Sequence, residues 1–286
     1  MTRLLLHCAA TLLLTAFAAT QDAVTAYTNA NILPGGKPAM SDATMVISGG
    51  KILAIGGADL QVPEGAKVID CKGRTITPGL IDASFQSGDN QQDLNEQSEE
   101  VTPHLRVLDN IDPENPAFGR ARNNGVTAVH VMPGTRNVIG GLGCVIKTHG
   151  SDPKSMVIKQ DASMRIVMGA EPSMSNRAIR GGRVNSIYYR RPTTRMGVIW
   201  SVRRAFYDAK EAMTKTQGAP DGAPPSPGIE VLTQVLQGKL TAVTTARSEQ
   251  DLRTALRIAE EFGYETVIDE AQDAYRVADE PADKHA

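Results

Sequence analysis

The segment Pro78-Gly79-Leu80-Ile81-Asp82-Ala83 separates two parts of the chain whose apolar residues follow different patterns. Residues 24–76 contain short runs of alternating apolar residues, broken by glycine and proline, which is typical of short β-strands. Beyond Pro78, apolar runs of strand length alternate with helical patterns, which favours a parallel α/β core. The sequence therefore predicts a small β domain at residues 21–78 and an α/β domain at residues 79–286.

Local signals place several elements within these two parts. Two apolar runs on either side of Gly49-Gly50 predict a β-hairpin. Glu249–Phe262 places Leu252 and Ala255 on one face and precedes Gly263, which predicts a helix. A second helix is predicted at residues 195–214. Residues 217–228 contain four prolines and three glycines, which predicts a loop. Strands of the α/β part are predicted at residues 80–83, 126–132, 144–148, 156–159, 240–244 and 265–269.

The composition is that of a globular protein. The chain has 286 residues, of which 41% are hydrophobic and 22% charged, and its formal net charge is -2. This balance excludes the disordered class and argues against a nucleic-acid binder, whose domain would be basic. Residues 1–20 predict a signal peptide, with Arg3 before an apolar stretch and small residues around Phe17. We therefore expect a periplasmic or secreted protein; an uncleaved anchor is the alternative interpretation.

Two further features leave alternatives open. Cys71 and Cys144 remain after removal of the signal peptide, and they form either one disulfide or two buried free thiols. Residues 177–204 contain eight arginines interleaved with two tyrosines and Trp200. This segment is either a solvated helix face paired with nearby acids or a binding surface for an anionic molecule.

Several blocks together carry a family resemblance: residues 51–56, 78–83, 123–127, 133–141, 192–197 and 251–263. In this order they resemble the amidohydrolase superfamily, and within it the imidazolonepropionase-like metal-dependent hydrolases. The resemblance implies a small β-sandwich followed by a TIM-type (β/α) barrel, which this sequence would form incompletely because it ends soon after the sixth barrel strand. It also implies hydrolysis of non-peptide C–N bonds, such as those of cyclic amides, by zinc or another divalent metal.

The positions that match the family's metal ligands carry other residues. Ser84 and Gln86 stand where the family has its His-x-His pair, and Thr245 and Glu270 stand where it has two further histidines. Arg165 stands where relatives often carry lysine, and the last aspartate ligand has no counterpart in the sequence. Hydroxyl and amide groups replace imidazole poorly. We therefore expect no catalytic residue, no metal ligand and no bound cofactor, although Asp82, Glu270 and His130 are candidate replacement ligands.

Three functions remain open at this point. The first is an amidohydrolase-like protein that has lost its catalytic centre and acts by binding or assembly. The second is an active hydrolase with an atypical metal site. The third is one subunit of a split enzyme. An open barrel exposes strand edges and apolar surface, so the expected partners are further copies of the chain or a complementing polypeptide. We expect no nucleic acid, and no membrane beyond the signal peptide.

Overall fold

A computed structural model describes residues 23–86, 93–96, 98–174, 191–216 and 226–278. The predicted signal peptide and most of the predicted loop at residues 217–228 lie outside the described residues. The chain divides into two compact units, Met1–Pro78 and Gly79–Ala286. In the part of the chain that is described, no helix is both long enough and apolar enough to cross a bilayer.

The first unit is built on one five-stranded sheet. Its strands are β1 (Thr25–Ile32), β2 (Met40–Ser48), β3 (Lys51–Gly56), β4 (Lys67–Asp70) and β5 (Thr75–Ile76). The first three are antiparallel in the order β3-β2-β1, and β4 and β5 both pair with β1 in parallel. The predicted hairpin forms between β2 and β3, where Gly49 and Gly50 both have positive φ, as a two-residue turn requires. All strands described in this unit belong to the one sheet, and the sandwich stays a prediction.

The second unit contains a six-stranded sheet in the order β11-β10-β9-β8-β7-β6. The strands are β6 (Leu80–Phe85), β7 (Val126–Val131), β8 (Ile139–Lys147), β9 (Val157–Val167), β10 (Thr241–Thr245) and β11 (Thr266–Asp269). Five of them run in one direction, but β8 is antiparallel to both neighbours, so the expectation of an all-parallel core is wrong. Only seven residues join β7 to β8 and nine join β8 to β9. A parallel crossover needs about a dozen or more.

Helices lie in the links between the strands of this unit, except between β7 and β8. They are α1 (Pro116–Asn123), α2 (Pro153–Met156), α3 (Glu171–Met174), α4 (Arg195–Thr216), α5 (Pro227–Leu236) and α6 (Glu249–Phe262), with 3-10 turns at Val107–Asn110 and Ala274–Arg276. The predicted bounds of α6 are confirmed: the Ser248 side chain accepts from the Asp251 N–H, and Gly263 ends the helix with a φ of 74°. The helix α5 was not predicted, because it begins at Pro227 inside the proline-rich segment.

The main core lies between one face of the sheet and the helices α4, α5 and α6. Met164 and Ile166 of β9 are fully buried there. Phe206 of α4 packs against Phe262 and Tyr264, with ring centroids 5.2 and 4.8 Å away. Because side chains alternate along a strand, residues between the core residues of β9 point to the opposite face. We call this opposite face the inner face of the sheet, and it carries the polar residues described next.

Candidate functional site

Arg165 is a buried cation on the inner face of β9. Its neighbour Met164 points into the core, whereas its own side chain is only 7% exposed and lies over β10 and β11. Its Nε and Nη2 donate to Thr245 Oγ1 at 3.0 and 2.7 Å, and its Nη1 donates to the carbonyl of Pro133 at 3.0 Å. Its Nη2 also donates to Asp269 Oδ2 at 2.8 Å. The guanidinium therefore joins the carboxyl ends of three neighbouring strands.

Further acids and one more arginine surround this group. Asp269 Oδ2 also accepts from the Ser84 hydroxyl at 3.5 Å, which extends the contacts to β6. Glu270 Oε1 lies 3.6 Å from Arg165 Nη2. The other oxygen of Glu270 accepts from Arg247 Nε at 2.6 Å. Each carboxylate that contacts Arg165 is thus tied to a second donor.

The polar contacts continue from Arg247 to the segments after β7 and β9. Arg247 forms an ion pair with Glu171 of α3. The Thr135 hydroxyl donates to the other oxygen of Glu171 at 2.5 Å. We call the whole set the Arg165 network: Ser84, Thr135, Arg165, Glu171, Thr245, Arg247, Asp269 and Glu270. The network contains two guanidinium groups and three carboxylates.

Burial acts on the charge at the centre of the network. Desolvation lowers the pKa of Arg165, and the carboxylates of Asp269, Glu270 and Glu171 oppose this effect. The guanidinium group remains charged, since its ordinary pKa lies far above neutral pH. A buried cation of this kind requires its counter-charges in place.

The structure brings together four of the five positions that match family ligand sites. Ser84, Arg165, Thr245 and Glu270 all belong to the Arg165 network. Gln86 is exposed and lies immediately after the last residue of β6. Sequence reasoning missed four members of the network: Thr135, Glu171, Arg247 and Asp269. The position of Asp269 at the carboxyl end of a predicted strand was a usable signal.

The residues at this site do not fit the divalent metal that the family fold implies. Imidazole ligands are replaced by hydroxyl, amide and carboxylate groups, and the Arg165 guanidinium donates into the space between them. Both carboxylates next to it, Asp269 and Glu270, already bind arginine side chains. Across the described ranges, no group of three or more histidine, cysteine, aspartate or glutamate side chains is arranged to hold a metal ion.

Two of the candidate replacement ligands, Asp82 and His130, form hydrogen bonds with neighbouring backbone and side-chain groups. Asp82 Oδ1 accepts from the backbone N–H of Ser84 at 3.0 Å, the local turn contact that its position favours. The Nδ1 of His130 contacts the carbonyl of Ala83 at 3.2 Å, and its Nε2 contacts the hydroxyl of Ser163 at 2.8 Å. Because a carbonyl only accepts, Nδ1 carries a proton, and in the neutral ring Nε2 accepts from the serine hydroxyl. His130 therefore joins β6, β7 and β9.

Gly143 makes this histidine contact possible. It lies on β8, between the strands that carry His130 and Ser163. A Cβ at this position would lie 2.9 Å from His130 Nε2 and 3.0 Å from Ser163 Oγ. Burial lowers the pKa of His130, which favours the neutral ring. The two side chains thus meet over a backbone position that has no room for a side chain.

Described arginines of the arginine-rich segment pair with acids. Arg195 donates to Asp251 at 2.8 Å, and Arg203 contacts Glu261 at 2.7 Å. These contacts agree with a helix face whose arginines are paired with nearby acids. The part of the segment before residue 191, which includes both tyrosines, lies outside the described residues. The two cysteines, Cys71 and Cys144, are buried free thiols.

Comparison with known proteins identifies relatives of this chain. No family model matches the sequence. The chain is 31% identical over 170 residues to amidohydrolase tasK of Hapsidospora irregularis. This alignment covers 54% of this chain and 17% of that protein. The crystal structure of an amidohydrolase from Thermotoga maritima MSB8 superposes with a TM-score of 0.77 and 30% identity.

These matches differ in how much of each protein they cover. The alignment with the Thermotoga structure includes 89% of this chain and 66% of that one. The chain thus spans less than two thirds of either relative. Over the shared part, sequence and fold agree with the family resemblance of the blocks around Pro78. The chain belongs to the amidohydrolase superfamily.

Proposed function

We propose that this chain is a catalytically degenerate amidohydrolase that acts by binding or assembly and does not hydrolyse C–N bonds through a metal. The observation that carries this proposal is the Arg165 guanidinium, which occupies one of the positions matched to family ligands and contacts the residues at two others, Thr245 and Glu270. The family chemistry depends on a cation that lowers the pKa of a bound water and polarises a carbonyl. A guanidinium has only donors and cannot ligate a metal.

Electrostatics supports the same conclusion. A divalent cation among these residues would stand next to the positive charge of Arg165 at low dielectric, where like charges repel strongly. To ligate it, Asp269 and Glu270 would have to leave their arginine partners. Each lost buried pair would leave an uncompensated charge. The network is therefore more stable as it stands than with an added cation.

The edges of the sheet support the assembly part of the proposal. Among the described strands of the second unit, β6 and β11 each have one neighbour. Leu80 and Ile81 of β6 are 61% and 72% exposed, and Val267 of β11 is 56% exposed. Strand edges with exposed apolar side chains are sites of further pairing. A second copy of the chain or a complementing polypeptide would cover these edges. Residues 1–20 favour export, which would place the assembly in the periplasm or outside the cell.

The experiment measures metal, activity and mass on one sample. The full chain is exposed to Zn²⁺ and Mn²⁺, desalted, and analysed for metal content, for hydrolysis of a panel of cyclic amides and for solution mass. We expect less than stoichiometric metal, no hydrolysis, and a mass above that of one chain. Stoichiometric metal together with hydrolysis contradicts the proposal and supports an active enzyme with an atypical site.

A variant with restored ligands provides the positive control. It combines Ser84→His, Gln86→His, Arg165→Lys, Thr245→His and Glu270→His. If the loss of these ligands is what excludes the metal, the variant binds more Zn²⁺ than the parent chain. Equal and stoichiometric binding by both proteins would contradict the role given to Arg165.

A further inference from the structure

A cleft of about 500 Å³ lies in the second unit, and none of its lining residues belongs to the Arg165 network. Its walls are one face of α4, the segment at residues 191–194, and the residues Glu100 and Val101. This volume is within the range of small-molecule sites, about 300–1,000 Å³. The cleft thus has the size and the position of a separate binding site.

The helix α4 contributes one continuous stripe to this cleft. Its lining residues are Gly197, Trp200, Ser201, Arg204, Ala205 and Asp208. Each of them lies three or four positions from another member of the set, so they share one face of the helix. Val198, Val202 and Phe206, on another face, are fully buried in the core. The core side therefore fixes the helix, and the other stripe lines the cleft formed by the described residues.

A glycine shapes one end of the cleft. At Gly197 a Cβ would lie 2.8 Å from the Pro192 Cβ. The absence of a side chain therefore lets the segment at residues 191–194 approach the helix closely. The Gly197 N–H also donates to Thr194 Oγ1 at 3.1 Å. The wall formed by this segment is thus held in place by packing and by a hydrogen bond.

Trp200 gives the cleft its aromatic surface. It is the single tryptophan of the chain, and it is 59% exposed. Covering the remaining indole surface with an aromatic ring would be favourable, both for the apolar area removed from water and for ring stacking. Val101, Pro192 and Ala205 line the same cleft with apolar atoms. The site therefore favours a ligand with a flat apolar part.

Arg204 lies one helical turn beyond Trp200 and supplies a positive charge. Its contact with Asp208 is long, 3.9 Å, and the two side chains are 72% and 54% exposed. Such a pair contributes little to stability. A carboxylate that accepts two hydrogen bonds from the guanidinium is a better partner. From the spacing of these two side chains we propose that the cleft binds an aromatic carboxylate, with the ring on Trp200 and the carboxylate on Arg204.

The test uses three probes that share one ring. Phenylacetate carries the carboxylate, phenylacetamide is its neutral counterpart, and phenethylamine carries a positive charge. Binding is measured by calorimetry and by the emission of Trp200, which reports on the cleft without a label. We expect phenylacetate to bind about tenfold more tightly than phenylacetamide, the effect of one charge-assisted contact. Tighter binding of phenethylamine, through Glu100 and Asp208, overturns the proposal.

Variants separate the two contacts. Arg204→Gln should weaken phenylacetate binding about tenfold and leave phenylacetamide unchanged, and Trp200→Leu should weaken both. Arg253→Gln is the control, because Arg253 is also a solvent-exposed helix arginine that pairs with an acid four residues away, Glu249 of α6 at 3.1 Å; it should leave all affinities unchanged. Equal affinity of Arg204→Gln and the parent chain for phenylacetate overturns the proposal. So does a Trp200 emission that acrylamide does not quench in the free protein, since the cleft would then be filled. Neither result depends on metal content or hydrolysis, so the proposed function stands or fails separately.

Discussion

Replacing Arg165 by methionine removes the central charge of the network and keeps a side chain of similar length. The guanidinium makes four hydrogen bonds, two to Thr245, one to Pro133 and one to Asp269. The Asp269 side chain is only 13% exposed, so its charge would lose its nearest partner in a buried place. Breaking a buried pair from one side costs about 3–5 kcal/mol. We expect the free energy of unfolding to fall by this amount.

Urea denaturation followed by far-UV circular dichroism measures the change. Arg165→Lys should fall between the parent and Arg165→Met, because an ammonium keeps the charge but not the planar fork of donors. Adding Asp269→Asn to Arg165→Met should recover part of the loss, since the unpaired charge is then absent. The double-mutant cycle isolates the coupling of this pair.

A surface arginine provides the control for this series. Arg203 pairs with Glu261, and both side chains are 28% exposed. Arg203→Met should therefore cost at most about 1 kcal/mol. If Arg165→Met also costs 1 kcal/mol or less, and the cycle with Asp269 shows no coupling, the network does not hold the strands together and the reasoning is refuted.

Three other measurements test the inner face and the core. Gly143→Ala should lower the free energy of unfolding by about 1–3 kcal/mol through overpacking, whereas Gly119→Ala, in the open part of α1, should raise it by about 0.5–1 kcal/mol; urea midpoints compare the two. Burial lowers the pKa of His130, so the unfolded chain binds this proton more readily. The melting temperature should fall as the pH drops below about 6.5, and less so in His130→Gln. Burial raises the pKa of Cys144 to about 12, so a thiol reagent at pH 8 should modify it only in urea, as peptide mass spectrometry would show.

Local signals in the sequence predict those elements that depend on local interactions. The bounds of α6 follow from its apolar spacing, its Ser248 cap and its terminal Gly263. The direction of β8 is not a local property, because an apolar run does not say which way its strand runs in the sheet. The short links on either side of it contain that information, since they exclude a parallel crossover. Likewise, Pro227 is compatible with a loop and with the first turn of a helix, and packing of α5 on the core decides between them.

The candidate site was predictable in its positions but not in its contacts. The family resemblance picks out Ser84, Gln86, Arg165, Thr245 and Glu270, and the fold brings all of them except Gln86 into the Arg165 network. It does not pick out Asp269, whose importance depends on the register that places β11 beside β10. A carboxylate at that point needs a partner, and only the folded sheet shows that Arg165 reaches it across Thr245.

The acidic side chains on the inner face of the sheet therefore need counter-charges, and other side chains of the same chain supply them. Asp269 and Glu270 bring two negative charges to the carboxyl end of β11, where burial makes each costly without a counter-charge. In a metal-dependent relative a divalent cation would provide that charge. Here Arg165 and Arg247 provide it, and the hydroxyls of Ser84 and Thr245 complete the hydrogen bonds. Because these arginines are covalently part of the fold, both carboxylates at the end of β11 have a counter-charge within the chain.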